Sequence, residues 1–359
     1  MIKKLMILLL CLAMLGCSNN ANQEPEPEPE PEVVEPTLYT RPICVAINNY
    51  PGAIKVQTGL DKAYMIYEVP VEYGLSRLLA FYRDDYPEVV GTIRSARHYF
   101  FDYFLEHDAI FVHYGMSQYA EDRFSETGVD HINGNYEADS EPFYRDNPLG
   151  LDFEHTAYLD FPKLLDFIKN EKQFRTTTSR TSPLPIAEQV VDLSTREDAI
   201  PLEELTMTYC PSIVTHYEYS PEDSVYYRFV NGREHTDFNT KEQYSAKNIV
   251  LVELKDYDVM PDGTNIDLHT LAFWKGWYIT NGYAVPIYWE KYEAGMQTIF
   301  KYASDSTPLE VNEGNVWVQI YLQKNQPEMK PVQPTEEKTE TKTAEESTVE
   351  NSETIQDAE

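Results

Sequence analysis

The sequence predicts an α+β fold: layered sheets with helices, a helix-containing amino-terminal part and a hairpin-rich carboxyl-terminal part. Two observations carry this. Between residues 90 and 205, apolar residues recur at helical spacing in two stretches, 94–107 and 160–170. After residue 210, apolar runs flank Asn231-Gly232 and Asn281-Gly282, both strong signals for a two-residue hairpin turn.

In chain order, residues 43–48 form a continuous apolar run that reads as a buried strand, and Asn49-Tyr50-Pro51-Gly52 supplies turn chemistry. Residues 65–71 and 78–82 are strands, with Tyr73-Gly74 between them as a hairpin turn. Residues 89–93 are a short strand. In 94–107, Ala96, Phe100, Tyr103 and Phe104 share a helical stripe, and 109–114 returns to strand. Residues 160–170 are an amphipathic helix with Phe161, Leu164, Leu165 and Ile168 on one side. Residues 225–230 alternate, 249–254 are apolar, and 277–279 pairs with 284–289 across Asn281-Gly282. Residues 316–322 alternate and close the folded region. There is no internal repeat.

The ends are different in kind. Lys3 and Lys4 precede an uncharged apolar run, 5–15, too short to span a bilayer as a mature helix, so residues 1–16 read as a cleaved export signal. The run ends in Met14-Leu15-Gly16-Cys17, which resembles a lipobox, with Met14 where Leu is more usual. Cys17 is therefore the expected lipidation site, and two acyl chains are what stable anchoring requires. An ordinary secretory signal with a coincidental Cys is the alternative. Residues 17–37 continue as a tether whose Glu-Pro repeat is held extended by fixed proline φ angles and like charges. Residues 327–359 contain no aromatic residue, which predicts a disordered acidic tail.

The chain carries a net charge of −31, and residues 37–326 keep −20 once the acidic tails and the basic leader are set aside. A body this acidic repels nucleic acid and anionic lipid alike, so neither is expected as a partner. Cys44, inside an apolar strand, is expected to be a buried free thiol. A Cys44–Cys210 disulfide outside the cell stays open.

The most informative segment is Val89 to Arg97, where a strand is expected to end and a helix to begin. Ser95 is placed as N-cap, and a helix N-terminus flanked by Arg94 and Arg97 suits a carboxylate or phosphate. The structural alternative is that both arginines serve Glu68 or Glu72. Those two carboxylates, four residues apart on an expected strand, are candidates for an acid/base pair of the glycoside-hydrolase kind, with pairing to Arg77, Arg94 or Arg97 as the bland alternative. His113 and His155 stand at expected strand and turn ends. With Glu68 they form a conceivable but non-local metal trio, and no zinc-type spacing supports it. The acidic stretch 256–265 has its Gly at the wrong offset for an EF-hand and reads as a plain turn. Trp274 and Trp277 are candidate sugar-stacking platforms.

Taken together, Arg41-Pro42-Ile43, Ile47-Asn48-Asn49, Gln57-Thr58-Gly59-Leu60, Tyr67-Glu68, Glu72, Arg77, Ile93-Arg94-Ser95-Ala96-Arg97, Tyr99-Phe100, His113-Tyr114-Gly115 and Arg145-Asp146 resemble the YerB-like family of bacterial lipoproteins over residues 41–160. A second match covers 267–321, through Asn281-Gly282, Trp289-Glu290-Lys291 and Val316-Trp317-Val318-Gln319-Ile320. The chain departs from the family at Thr92, where Pro is common, and at Ala272 to Gly276, where a Gly-rich step is usual. The resemblance implies layered sheets with helices, a lipid anchor and no established activity.

The expected organisation is a signal (1–16), a lipidated tether (17–37), an amino-terminal α/β part (38–205), a β-rich part (206–326) and a tail (327–359). The expected function is that of a lipid-anchored protein on the outer face of the bacterial plasma membrane. It is expected to bind an acidic or polar cell-envelope molecule or polymer through Glu68, Glu72, Arg77, Arg94, Ser95, Arg97, His113 and His155. No cofactor or metal is expected. A hydrolase of envelope glycans or peptides using Glu68 or Glu72, and a scaffold for other envelope proteins, are the alternatives.

Overall fold

Strand-forming apolar runs dominate the folded part, and in the computed structural model they assemble into one large sheet faced by a second. The structure describes residues 37–137 and 142–331. The signal, Cys17, most of the tether and the tail from residue 332 lie outside the described residues. In chain order the principal strands are β1 (Ile43–Asn48), β2 (Met65–Pro70), β3 (Ser76–Tyr82), β4 (Ile110–His113), β5 (His131–Asn133), β6 (Glu204–Cys210), β7 (Ile213–Ser220), β8 (Val225–Val230), β9 (Asn248–Leu254), β10 (Phe273–Thr280), β11 (Tyr283–Glu290) and β12 (Val316–Leu322). The α-helices are α1 (Phe101–Phe104), α2 (Gln118–Thr127) and α3 (Phe161–Asp166). The fold is α+β with the balance far toward strand.

The large sheet runs in the order β11-β10-β9-β12-β2-β3-β1-β4-β5, with Ile200–Pro201 and Ile299–Tyr302 both pairing with β11 at that edge. The last long strand, β12, lies at its centre. It runs parallel to β9 on one side, with Val316 opposite Asn248, and parallel to β2 on the other, with Val316 opposite Met65. The amino-terminal and carboxyl-terminal parts therefore share one sheet, and the described residues from Leu38 onward belong to one compact unit. The alternation read in 316–322 does not mark a half-exposed strand. Every residue of β12 is buried, because both sheet faces are covered.

Period-two geometry sorts the side chains. Met65, Tyr67, Val69, Phe81, Val250, Val318 and Ile320 face a core built with the helical residues Phe100, Phe101 and Phe104. Ile66, Leu78, Ala80, Ile249 and Trp317 face the opposite way, toward Leu205, Met207, Tyr217 and Tyr226 of the second sheet. That sheet runs β8-β7-β6 and is extended past β6 by Glu328–Lys330, which pairs antiparallel through Glu204↔Lys330. The boundary expected at residue 326 therefore moves outward: the first residues assigned to the tail form an edge strand.

Both Asn-Gly turns form as expected. Asn231 and Gly232, and Asn281 and Gly282, all have positive φ, the conformation that closes a two-residue hairpin. The Tyr73-Gly74 hairpin also forms, pairing β2 with β3. Asp160 caps α3 by accepting from the Lys163 N–H, and the helix continues as a π-turn over Phe167–Lys172. The acidic stretch near 256–265 is a hairpin turn tied by Asp262 to the N–H groups of Thr264 and Asn265. Cys44 is fully buried, Cys210 is half-buried, and both thiols are free.

The helix expected over 94–107 starts later. Only residues 98–107 are helical, as α1 flanked by 3-10 turns. Arg94 to Arg97 stay extended because alternate N–H groups are taken by neighbouring backbone: Arg94 donates to the Ala46 carbonyl and Ala96 to that of Gly115. Ser95 is accordingly not an N-cap, and the helix that follows begins after Arg97 with no side-chain cap.

Candidate functional site

The eight predicted site residues do not converge on one pocket. Their distribution follows from which sheet face each occupies. Glu68 lies in β2 on the side of the second sheet, whereas Arg77 lies in β3 on the helical side. The expected pairing of Glu68 with Arg77, Arg94 or Arg97 is therefore corrected. Its partner is Arg228, on the inward face of β8, whose Nη2 donates to Glu68 Oε2 at 2.7 Å. Both residues are fully buried.

That pair is the centre of a closed hydrogen-bonded ring. Glu68 Oε1 also accepts from Ser76 Oγ at 2.8 Å and Asn49 Nδ2 at 3.0 Å. Arg228 Nη1 donates to His235 Nδ1, and His235 Nε2 donates to Gln57 Oε1 at 2.6 Å. Gln57 Nε2 then reaches Asn49 Oδ1 at 3.1 Å, which closes the circuit. Burial, reinforced by the adjacent Arg228, holds the His235 imidazole well below its ordinary pKa, so it is neutral and has one acceptor nitrogen to offer. Trp317 stacks under the guanidinium at 4.5 Å. A fully buried carboxylate with this many donors is committed to holding the two sheets together.

Glu72 is not its catalytic twin. β2 ends at Pro70, and Glu72 sits in a short 3-10 turn where Arg97 grips it through Nε at 2.7 Å and Nη2 at 2.8 Å. Burial alone would raise the Glu72 carboxyl, but the Arg97 fork outweighs it and the pKa lies below the ordinary value. The two carboxylates are committed to separate partners on separate elements.

What the structure does gather is a polar edge around Arg77, Arg94 and Arg97. Arg77 is buried and donates to the Ser95 carbonyl at 2.5 Å; among the described residues it makes no ion pair. Burial, then Arg97 and Arg94, pull its pKa down against the opposing pull of Glu72, but a guanidinium remains a cation throughout the physiological range. Arg94 meets Glu154 at 3.1 Å, with 56% of the Glu154 side chain exposed. Beside them His155 accepts from Asn48 Nδ2 at 2.8 Å and stacks on Tyr50 at 4.5 Å. Among the described residues, the carboxylates paired with these three guanidiniums are Glu72 and Glu154, in a body that is otherwise acidic.

His113 lies apart from this edge. Its Nδ1 donates to the Gly115 carbonyl at 2.7 Å, so its Nε2 must accept from His131 Nδ1 at 3.0 Å. Burial drops its pKa to about 3, as it does for His107. His113, His155 and Glu68 are each hydrogen-bonded to different partners, so the metal trio does not assemble. Trp274 and Trp277 are half-buried rather than open platforms, and Trp274 donates to Glu253 at 2.8 Å.

A second buried pair lies outside the residues the sequence singles out. On the helical side of the large sheet, Glu106 accepts from Tyr67 Oη at 2.8 Å, Lys291 Nζ at 3.1 Å and Thr298 N at 2.8 Å. The residues of the carboxyl-terminal part that bond to these two carboxylates, Arg228, Lys291 and Thr298 among them, are distant from them in sequence. Arg228 was readable as an inward-facing charge in the alternating run 225–230, and Lys291 as the charge after Trp289-Glu290.

Comparison with known proteins agrees with this architecture. Residues 29–175 match the N-terminal domain, and residues 205–318 the C-terminal domain, of a family described as "Protein of unknown function (DUF3048)". The chain is 30% identical over 261 residues to "Putative lipoprotein YerB" of Bacillus subtilis (strain 168), which spans 69% of this chain and 76% of that protein. The crystal structure of YerB protein from Bacillus subtilis matches with a TM-score of 0.68 at 26% identity, over 81% of this chain and 94% of that one.

The buried histidines generate a pH prediction. His107 and His113 have folded pKa values of about 3, against an unfolded value of about 6.5. The unfolded chain therefore binds protons first, and stability, full above the unfolded value, falls as pH drops from there toward the folded one. Between pH 7.5 and 5.5, chemical denaturation should show a loss of about 1 kcal/mol for each such histidine. His113→Asn, which keeps a donor for the Gly115 carbonyl, should remove one proton's worth of that slope. A slope that His113→Asn leaves unchanged would contradict the assignment.

Proposed function

The chain belongs to the DUF3048 family, and from that premise we propose that it is a lipid-anchored, extracytoplasmic protein that binds an anionic cell-envelope molecule and does not turn it over. The lipobox-like ending at Cys17 and the similarity to a relative described as a lipoprotein support the anchor. Among the described residues, no helix is long and apolar enough to cross a membrane.

The observation that carries the binding reading is the charge imbalance at the Arg77–Arg94–Arg97 edge. Arg97 is locked by Glu72 in a bidentate pair. Among the described residues, the Arg77 side chain has only a carbonyl, and that of Arg94 is held by a single contact to a half-exposed carboxylate. An exposed pair of that kind is worth about 0–1 kcal/mol, so a ligand carboxylate or phosphate can take the place of Glu154 at little cost. Tyr50, 44% exposed, borders the same edge and offers stacking surface, held in place by the buried His155 and Asn48. The hydrolase reading has lost its support, because Glu68 is sealed and saturated and Glu72 is ion-paired.

Two experiments test the proposal. Mass spectrometry of the amino-terminal peptide recovered from membranes should find a diacylated Cys17; a free thiol there would contradict the anchor. A thermal-shift screen with anionic envelope fragments, muropeptides and polyol phosphates among them, should find at least one that raises the melting temperature. Arg94→Ala should abolish that rise while moving the ligand-free melting point little. Glu154→Gln should tighten binding by up to about fivefold, the worth of the pair it removes. A screen with no stabilising fragment, or an Arg94→Ala variant that changes stability alone, would overturn the binding reading.

A further inference from the structure

We propose that the chain has a second, separate ligand site, a cleft at Arg83 that takes a small amphiphile with a carboxylate head group. The cleft opens where β2 and β12 begin and β3 has just ended. It has a volume of about 420 Å³, within the roughly 300–1,000 Å³ range of small-molecule sites. Leu184, Ile186, Val311 and Val316 supply apolar walls, and Tyr64 and Arg83 supply the polar end.

Arg83 is the observation that points to a ligand. Its Nε and Nη2 are shielded from water and have no hydrogen-bond partner. The guanidinium lies over the Tyr64 ring at 5.2 Å, and among the described residues it makes no ion pair; the neighbouring Asp84 lines the cleft without bonding to it. Unsatisfied buried donors are rare in folded proteins, and each one calls for a partner. The Nε/Nη2 edge is the same edge with which Arg97 grips the Glu72 carboxylate in this protein. That edge is closed to water in the unliganded chain, so the half-buried guanidinium has to turn toward the cleft before a carboxylate is held by the same two-point geometry. The apolar walls specify the rest of the molecule. Ile186 is 59% exposed, while Leu184, Val311 and Val316 are buried, so of these walls it is Ile186 whose water-facing surface an alkyl or aryl body would cover. This site is independent of the Arg94 edge and stands or falls separately.

Decanoate below its micellar concentration is the probe, titrated calorimetrically into the full chain carrying Cys17→Ser. The expected result is one saturable site per chain, with decanol, which lacks the charge, binding at least about tenfold more weakly. Arg83→Gln should weaken decanoate by a similar factor. Ile186→Glu, a change at an exposed rim position that leaves the core intact, should also weaken it, and Arg94→Ala should not. No saturable uptake by the unsubstituted chain, equal binding of decanol, or unchanged affinity in both Arg83→Gln and Ile186→Glu would overturn the proposal.

Discussion

A carboxylate buried between two sheets has to be neutralised on the spot, and that requirement organises this protein. Glu68 projects from the middle of the large sheet into the layer between the sheets, where the surrounding side chains are Ile66, Leu78 and Trp317. Desolvating a carboxylate costs several kcal/mol, and only a well-placed cation with further donors offsets it. Arg228 supplies the cation, and Ser76, Asn49 and Thr215 supply donors. The carboxylate comes from the amino-terminal part and the cation from the carboxyl-terminal part. On the opposite face the same division recurs: Glu106 from the first part meets Lys291 from the second. Among the described residues, each face of the sheet is pinned by a deeply buried ion pair that neither part can complete alone, and β12 inserts between β9 and β2 to join the backbones as well.

This arrangement separates the residues that hold the fold from those free to bind. Several of the polar residues that carry the family resemblance, Asn49, Gln57 and Glu68 among them, belong to the buried ring, and their chemistry is spent on one another. Arg94 carries the same resemblance but faces the edge where, among the described residues, Arg77 has no carboxylate partner. Sequence alone does not separate the two sets, because a charged residue in an apolar run reads equally as a ligand-binding group or as half of a buried pair.

The strands were legible where period and turn chemistry agree. The run 43–48 and the run 316–322 match β1 and β12 residue for residue, and both Asn-Gly turns close hairpins. The second sheet was only partly legible: β8 was read from its alternation, while β6 and β7, which alternate as clearly, were not assigned. The helix is shorter than the 94–107 pattern predicts: Ala96, Phe100, Tyr103 and Phe104 do lie at helical spacing, yet Arg94 and Ala96 donate to the Ala46 and Gly115 carbonyls instead, a tertiary preference that local pattern does not carry. The site was less legible still. Glu68 and Arg228 stand 160 residues apart, and nothing in the local sequence of either names the other. Arg83 shows no local pattern at all, and only the arrangement of the strand ends around it makes it distinctive.

The central claim is that the two parts form one cooperative unit through the Glu68–Arg228 ring. Differential scanning calorimetry of the chain tests it most directly. The account predicts a single transition whose calorimetric and van't Hoff enthalpies agree, and Arg228→Met should lower that whole transition by about 3–5 kcal/mol, the usual cost of orphaning a buried charge. Two resolved transitions in the unsubstituted chain, or an Arg228→Met variant that melts as before, would contradict it.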